Sequence, residues 1–126
     1  MPNPLKMTNS VTLAMQSKDR KKAAAWYQDV LGCELLYDAE EIGWCELSTP
    51  LEGVNVGFSD VERPKTGAGP VPTFDVADLD KARAQMDSKD VRFDGDTQTI
   101  PGLAKLATFF DPDGNALMLS QSLMQS

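Results

Sequence analysis

The sequence lacks histidine altogether, although it has 126 residues. Histidine is the usual general base of enzymes, the partner of nucleophilic serine and cysteine, and the commonest ligand of transition metals. Catalysis by this chain would therefore depend on carboxylates, thiols, lysines or a bound cofactor.

Cysteines and long apolar runs are also scarce. Cys33 and Cys45 are the two cysteines, and they form no metal-binding or redox motif, so we expect ordinary reduced thiols. No apolar run reaches the 18 residues of a membrane span. The first residues, "MPNPLKMTNS", lack the apolar segment of a secretory signal. We therefore expect a cytoplasmic protein.

Positive charge is in deficit, with 12 lysines and arginines against 19 acidic residues and a net charge of −7. Binding to nucleic acids or anionic membranes needs basic patches, so we expect neither partner. The acidity has two interpretations: it keeps the protein soluble, or it attracts cationic ligands. The composition, 41% hydrophobic and 25% charged, is typical of a soluble globular protein, and the length suits one domain.

The chain contains an internal repeat of a strand, a helix and three strands. We predict Asp19 and Asp78 as helix N-caps at equivalent places, and Gly32 as the end of the first helix. Strand-like segments "SVTLAMQ" and "PVPTFDV" precede the two helices. The segment "FFDPDGNALML" predicts a tight turn between two antiparallel strands, because Asp, Pro and Gly favour turns.

This repeat gives the predicted domain organisation. Residues 1–9 form an N-terminal tail and residues 10–126 form one domain. Within the domain we predict module 1 at 10–59, a linker at 60–69 that is rich in glycine, proline and charge, and module 2 at 70–122.

The predicted strands alternate between a bulky apolar face and a face of small or polar residues. The apolar face would pack on a helix. The second face suits the lining of a cleft, although a solvated face or a dimer contact would have a similar pattern. Glu46 is the acid that we place in this cleft, and its alternative position is a strand edge or rim in water.

The "WYQDVLG" and "DPDGN" motifs, together with the repeat, resemble the glyoxalase/bleomycin-resistance/extradiol-dioxygenase superfamily, also called vicinal oxygen chelate. The resemblance covers residues 10–122. It implies an α+β, glyoxalase-like fold in which the mixed sheets of two tandem β-α-β-β-β modules curve around a cleft. It also implies a homodimer, with the modules paired within one chain or exchanged between two.

Catalytic members of that superfamily hold a divalent metal with His, Glu or Gln in the first and last strands of each module. The matching positions in this chain are Thr12, Gly57, Val71 and Met118. Neither a thioether, a valine nor a glycine can hold a hard cation that prefers oxygen or imidazole donors. We therefore expect no metal and no cofactor.

Three functions are consistent with this pattern. In the first, a metal-free protein binds a small ligand, of cationic or aromatic character, which Glu46, Asn55 and Asp75 orient while Trp44 and Phe110 stack against it. In the second, a lyase, epimerase or dioxygenase uses an atypical metal site, or Glu46 as a metal-independent base. In the third, a dimeric interaction module keeps only a vestigial cleft. The predicted cleft residues are Thr12, Gln16, Trp44, Glu46, Asn55, Gly57, Val71, Thr73, Asp75, Thr108, Phe110 and Met118.

Overall fold

The fold is described from a computed structural model, which covers residues 2–4, 6–67 and 69–124. Met1, Leu5, Ala68, Gln125 and Ser126 lie outside the described residues. Parts of the predicted tail, of the predicted linker and of the end of the predicted domain therefore lie outside them too. The chain divides into two compact units between Pro64 and Lys65.

Unit 1 contains one mixed sheet, sheet 1, and one helix. Its elements are β1 (Val11–Ser17), α1 (Arg20–Leu31), β2 (Glu34–Ala39), a 3₁₀ turn (Glu40–Ile42), β3 (Trp44–Ser48) and β4 (Val54–Asp60). The strand order is β1-β4-β3-β2. β1 runs parallel to β4, and the other neighbours are antiparallel.

Unit 2 repeats this arrangement in sheet 2. Its elements are β5 (Thr73–Asp75), α2 (Leu79–Asp87), β6 (Arg92–Phe93), β7 (Gln98–Ile100), β8 (Ala104–Phe110) and β9 (Ala116–Ser122). The order is β5-β9-β8-β6, and β7 also pairs with β8. β5 runs parallel to β9. The predicted α+β fold with two mixed sheets is confirmed.

Both helices begin at the predicted caps. The carboxylate of Asp19 accepts the backbone N–H of Lys22 at 3.2 Å, and that of Asp78 accepts the N–H of Lys81 at 3.1 Å. Gly32 ends α1 with φ at 73°, a left-handed conformation that costs glycine little. None of the helices in the described ranges is long and apolar enough to cross a membrane.

The apolar face of each sheet forms a core under its helix. In unit 1, Leu47 and Phe58 are fully buried, and the ring of Tyr27 lies 4.7 Å from that of Phe58. In unit 2, Phe109 and Leu117 are fully buried. Burial of each such apolar side chain stabilises the fold by roughly 1.5–3 kcal/mol.

A cluster of charges holds the start of α1 in unit 1. Arg20 is buried, and its guanidinium contacts the carboxylates of Asp38, Glu40 and Asp60. The backbone N–H of Arg20 also donates to Asp60 at 2.7 Å. The hydrogen bond from Arg20 is the main reason that the pKa of Asp38 lies below its ordinary value.

The hairpin predicted at "DPDGN" is present between β8 and β9. Asp111 organises it: its Oδ1 accepts the backbone N–H groups of Asp113 and Asn115 at 2.9 and 2.8 Å. Its Oδ2 accepts the side-chain amide of Asn115 at 2.8 Å. This arrangement satisfies a carboxylate that is only 4% exposed.

Unit 2 departs from the sequence prediction in two places. The strand expected at residues 70–76 is only Thr73–Asp75, so Val71 lies before it and is 41% exposed. Pro70 and Pro72 lack the N–H groups that would extend the ladder. The repeat predicts a single strand directly after the second helix, but the structure has two short strands there, β6 and β7, because the turn-forming residues of "DGDT" lie between them.

Candidate functional site

Sheet 1 has an open face, defined as the face opposite the one that packs on α1. Thr12 pairs with Asn55 across β1 and β4, and Glu46 pairs with Gly57 across β3 and β4. Because neighbouring strands keep paired side chains on one face, this register gathers all the cleft residues predicted in unit 1. They are Thr12, Gln16, Trp44, Glu46, Asn55 and Gly57.

Glu46 lies at the centre of a hydrogen-bond network on this open face. Its Oε2 accepts the hydroxyl of Thr12 at 3.3 Å and the side-chain amide of Asn55 at 3.1 Å. Its Oε1 accepts the hydroxyl of Tyr37 at 3.2 Å. The donors come from three different strands, so the whole sheet fixes the position of the carboxylate.

Trp44 extends the network and supplies an aromatic surface. Its indole Nε1–H donates to the hydroxyl of Tyr37 at 3.1 Å. A Cβ atom built on Gly57 would lie 2.2 Å from Cη2 and Cζ2 of the indole. The ring therefore lies directly on the backbone of Gly57, in a space that any larger residue would fill.

No lysine or arginine in the described parts of the chain forms an ion pair with Glu46. Among the described residues, every side chain that donates a hydrogen bond to its carboxylate is neutral. The buried Arg20 cluster is different, since there each carboxylate has a cationic partner. The open face thus presents a carboxylate that has no cationic partner among the described residues, beside an indole ring.

Tyr37 was missing from the sequence prediction, and a β-bulge explains why. Simple alternation along β2 would put Tyr37 on the same face as Leu35, which pairs with the buried Leu47. The register shifts between Leu35 and Tyr37, so that Tyr37 pairs with Glu46 instead. The local sequence "ELLYDA" carries no signal for this bulge.

Sheet 2 also has an open face, opposite α2, with a different set of contacts. Met118 pairs with Thr73 on one side and with Thr108 on the other. Asp75 accepts the hydroxyl of Ser120 at 2.6 Å. The predicted residues on this face are Thr73, Asp75, Thr108, Phe110 and Met118, whereas Val71 lies outside the strands.

Arg92 and Phe110 form a second contact that the sequence prediction missed. The guanidinium of Arg92 lies 4.6 Å from the centre of the Phe110 ring, in a cation–π arrangement. The two residues pair across β6 and β8. Phe110, which we predicted to stack on a ligand, thus already has an intramolecular partner.

The two cysteines do not add a reactive group. Both are free and buried. Burial raises the pKa of the Cys33 thiol to about 11 and also raises that of Cys45. Because the nucleophile is the thiolate, both side chains are poor nucleophiles at neutral pH.

Comparison with known proteins identifies the family. The family model of the Glyoxalase/Bleomycin resistance protein/Dioxygenase superfamily matches residues 10–119. The chain belongs to this superfamily. Its predicted membership is therefore confirmed, whereas a comparison with curated proteins finds no match.

Solved structures of superfamily members share the fold at low sequence identity. A member from Sphaerobacter thermophilus has a TM-score of 0.79 and 21% identity, covering 94% of this chain and 100% of that one. TnmS3, an antibiotic binding protein from Streptomyces sp. CB03234, has a TM-score of 0.76 and 21% identity, covering 94% and 98%. Lactoylglutathione lyase from Agrobacterium tumefaciens has a TM-score of 0.69 and 16% identity, covering 96% and 97%.

The residues at the metal positions that the superfamily implies do not fit a divalent cation. The Thr12 hydroxyl donates a hydrogen bond to Glu46, Gly57 has no side chain, and Met118 offers only a thioether. Val71 is a hydrocarbon side chain. Among the residues that the structure describes, no group of three or more His, Cys, Asp or Glu side chains is placed to hold a metal ion.

Proposed function

We propose that the protein binds a small, planar, cationic ligand on the open face of sheet 1. The observation that carries this proposal is the Glu46 carboxylate, which neutral donors hold in place beside the Trp44 indole. The ligand's charge would meet the carboxylate and its ring would stack on the indole. Antibiotic binding by TnmS3, which has the same fold, is consistent with a binding function.

The test is a binding titration with aromatic cations and aromatic anions of similar size. Trp26 and Trp44 are the two tryptophans, so Trp26→Phe leaves Trp44 as the single indole reporter. We expect Glu46→Gln to weaken cation binding about 10-fold or more, because a hydrogen bond to a charged group contributes about 1.5–3 kcal/mol. Equal binding of cations and anions by the parent protein would overturn the proposal.

Glu52→Gln is the matched control for this variant. Glu52 is exposed in the turn before β4, and its replacement removes the same formal charge. If the effect of Glu46→Gln arises from direct contact, Glu52→Gln leaves the affinity nearly unchanged at physiological salt, where distant exposed charges are screened. Similar losses in the two variants would assign the effect to net charge alone.

The second candidate is an enzyme in which Glu46 acts as a base. The observation in its favour is that Tyr37 is the single donor to Oε1 among the described residues, so that this oxygen can still accept a proton or a hydrogen bond. Glu46→Gln separates the two functions. An enzyme loses turnover in this variant while substrate still binds, whereas a binding protein loses affinity and has no turnover to lose.

We also infer that no metal occupies the superfamily positions. The support is the donor set described above, in which a hydroxyl is the only oxygen ligand. Elemental analysis should follow dialysis against Mn²⁺, Fe²⁺, Ni²⁺ and Zn²⁺ and a desalting step, with protein purified without a metal-affinity resin. Retention of one metal ion per chain would contradict this inference.

The homodimer that the superfamily implies is part of the same proposal. Light scattering coupled to size-exclusion chromatography gives the mass in solution directly. A mass of twice 13.7 kDa is the expected result, and a monomer at all concentrations would remove the dimer from the proposal.

A further inference from the structure

We propose that the site on the open face of sheet 1 selects its ligand by N–H donors, and so takes an aryl amidinium or aryl guanidinium rather than a quaternary ammonium. This inference rests on the proposed function and narrows its ligand to one chemical class. The selection follows from the hydrogen-bonding capacity of Glu46, Tyr37 and Trp44.

Counted over the residues that the structure describes, the Glu46 carboxylate has unused hydrogen-bonding capacity on one oxygen. An ionised carboxylate has about four lone-pair positions and no proton to donate. Oε2 already accepts two hydrogen bonds, from Thr12 and Asn55, and Oε1 accepts one, from Tyr37. The position that remains is therefore on Oε1, and it can only accept.

The direction of the hydrogen bonds at Tyr37 is fixed by its neighbours. The indole Nε1–H of Trp44 can only donate and the carboxylate of Glu46 can only accept, so the Tyr37 hydroxyl accepts from Trp44 and donates to Glu46. The indole and phenol protons are thereby both used within the protein. The capacity left on the Tyr37 oxygen is a lone pair.

The ligand consequently meets two acceptors that lie side by side. The Tyr37 oxygen and Glu46 Oε1 are 3.2 Å apart, a separation that two N–H groups of a single planar cation can span. A carboxylate or carbonyl ligand would find no donor at these two oxygen atoms, and its lone pairs would face those of Tyr37 and Glu46. A quaternary ammonium would gain the charge interaction but no hydrogen bond.

Planarity adds a second element of selection. The indole of Trp44 lies on the backbone of Gly57, which fixes one side of the ring. An amidinium conjugated to an aromatic ring can lie parallel to the indole while its N–H groups reach the two acceptors, whereas a quaternary ammonium has no N–H group to donate.

Benzamidine, benzyltrimethylammonium and benzoate are the probes that test this inference. Their binding to the Trp26→Phe protein is followed by Trp44 fluorescence up to millimolar concentrations. We expect benzamidine to bind about 10-fold more tightly than benzyltrimethylammonium, since it adds charge-assisted hydrogen bonds. Benzoate should not bind. Glu46→Gln should reduce the benzamidine affinity and remove most of its preference over benzyltrimethylammonium.

The outcomes separate this inference from the proposed function. If the two cations bind equally and both need Glu46, the cation site stands and selection by N–H donors is wrong. If benzoate binds as well as the cations, or none of the three probes binds, the proposed function itself fails. Loss of benzamidine binding in Glu46→Gln with unchanged binding in Glu52→Gln would support the cation site. A preference for benzamidine over benzyltrimethylammonium that disappears in Glu46→Gln would support selection by N–H donors.

Discussion

The open faces of the two sheets have the same register but very different chemistry. In sheet 1, Glu46 and Gly57 form the central pair; in sheet 2, the equivalent pair is Thr108 and Met118. By the same register, Leu106 in sheet 2 is the counterpart of Trp44. The carboxylate, the indole and the space beneath it therefore occur in unit 1, and uncharged or apolar side chains replace them in unit 2.

The counterpart of Tyr37 is missing for a structural reason. β2 continues past Glu46, so its bulge can place the Tyr37 hydroxyl on the carboxylate. In unit 2 the equivalent strand is interrupted between β6 and β7, beside Thr108. The repeated topology thus supplies equivalent backbone positions in units 1 and 2. Continuity of the edge strand decides which unit can form a hydrogen-bond network around its central pair.

The largest expected effect comes from converting the central position of sheet 1 into that of sheet 2. Gly57→Met places a side chain where the indole of Trp44 lies, since even a Cβ would be 2.2 Å from the ring. We expect a loss of about 1–3 kcal/mol in the free energy of unfolding, typical of overpacking, together with displacement of Trp44. Chemical denaturation and tryptophan emission measure the two effects.

The double variant Gly57→Met, Trp44→Leu is the control, because it recreates both counterparts from sheet 2. Removal of the indole relieves the clash, so Gly57→Met should cost much less stability in the Trp44→Leu background than alone. Additive losses in this double-mutant cycle would show that Trp44 does not occupy the space above Gly57.

The starts of the two helices give a second comparison, with an intermediate expected effect. The N–H of Arg20 donates to Asp60 in unit 1, and the N–H of Leu79 donates to Gln121 in unit 2. The acceptor at the start of the helix is a charged carboxylate in unit 1 and a neutral amide in unit 2. The acidic cluster around Arg20 should therefore make unit 1 the more acid-sensitive unit.

The sign of this effect follows from Asp38. Its pKa in the folded state lies below the ordinary value of 3.8, so its contribution to stability is complete above that value and is lost as the pH falls through the lower, native pKa. Amide signals of α1 should broaden or disappear below about pH 3.8 before those of α2 in an NMR titration. Asp38→Asn should lose stability at neutral pH and show less further loss in acid; simultaneous loss of both helices would contradict the comparison.

Much of the fold could be predicted from local sequence. Asp19 and Asp78 cap their helices through contacts three residues away, and such signals need no tertiary information. Alternation along β3 and β4 correctly separated the buried Leu47 and Phe58 from Glu46 and Asn55. These are short-range patterns, which a single sequence displays directly.

The parts that could not be predicted depend on long-range register. Tyr37 reaches Glu46 because of a bulge that changes the face of one residue. Arginine is normally an exposed residue. Arg20 is buried at the start of α1 because Asp38 in β2 and Asp60 in β4 neutralise its charge. The guanidinium of Arg92 lies over the ring of Phe110 because the two residues pair across β6 and β8. Pairwise contacts of this kind leave no periodic signal in the sequence.

The smallest expected effect comes from removing one oxygen from the network in sheet 1. Tyr37→Phe deletes the hydroxyl that accepts from Trp44 and donates to Glu46. We expect benzamidine to bind about 2- to 10-fold more weakly, because a single hydrogen bond contributes about 0.5–1.5 kcal/mol. Benzyltrimethylammonium, which cannot donate to this oxygen, should bind nearly as before, so the preference for N–H donors should shrink.

Tyr27→Phe makes the same chemical change away from the open face. The Tyr27 ring packs on Phe58 in the core of unit 1, and its hydroxyl donates to the sulfur of Met15 at 3.8 Å. This variant should alter stability slightly and leave the ratio of the two affinities unchanged. An equal change of that ratio in both variants would mean that the Tyr37 hydroxyl does not select the ligand. A change confined to Tyr37→Phe would show that the continuous edge strand β2, whose counterpart in unit 2 is divided into β6 and β7, gives unit 1 its specificity.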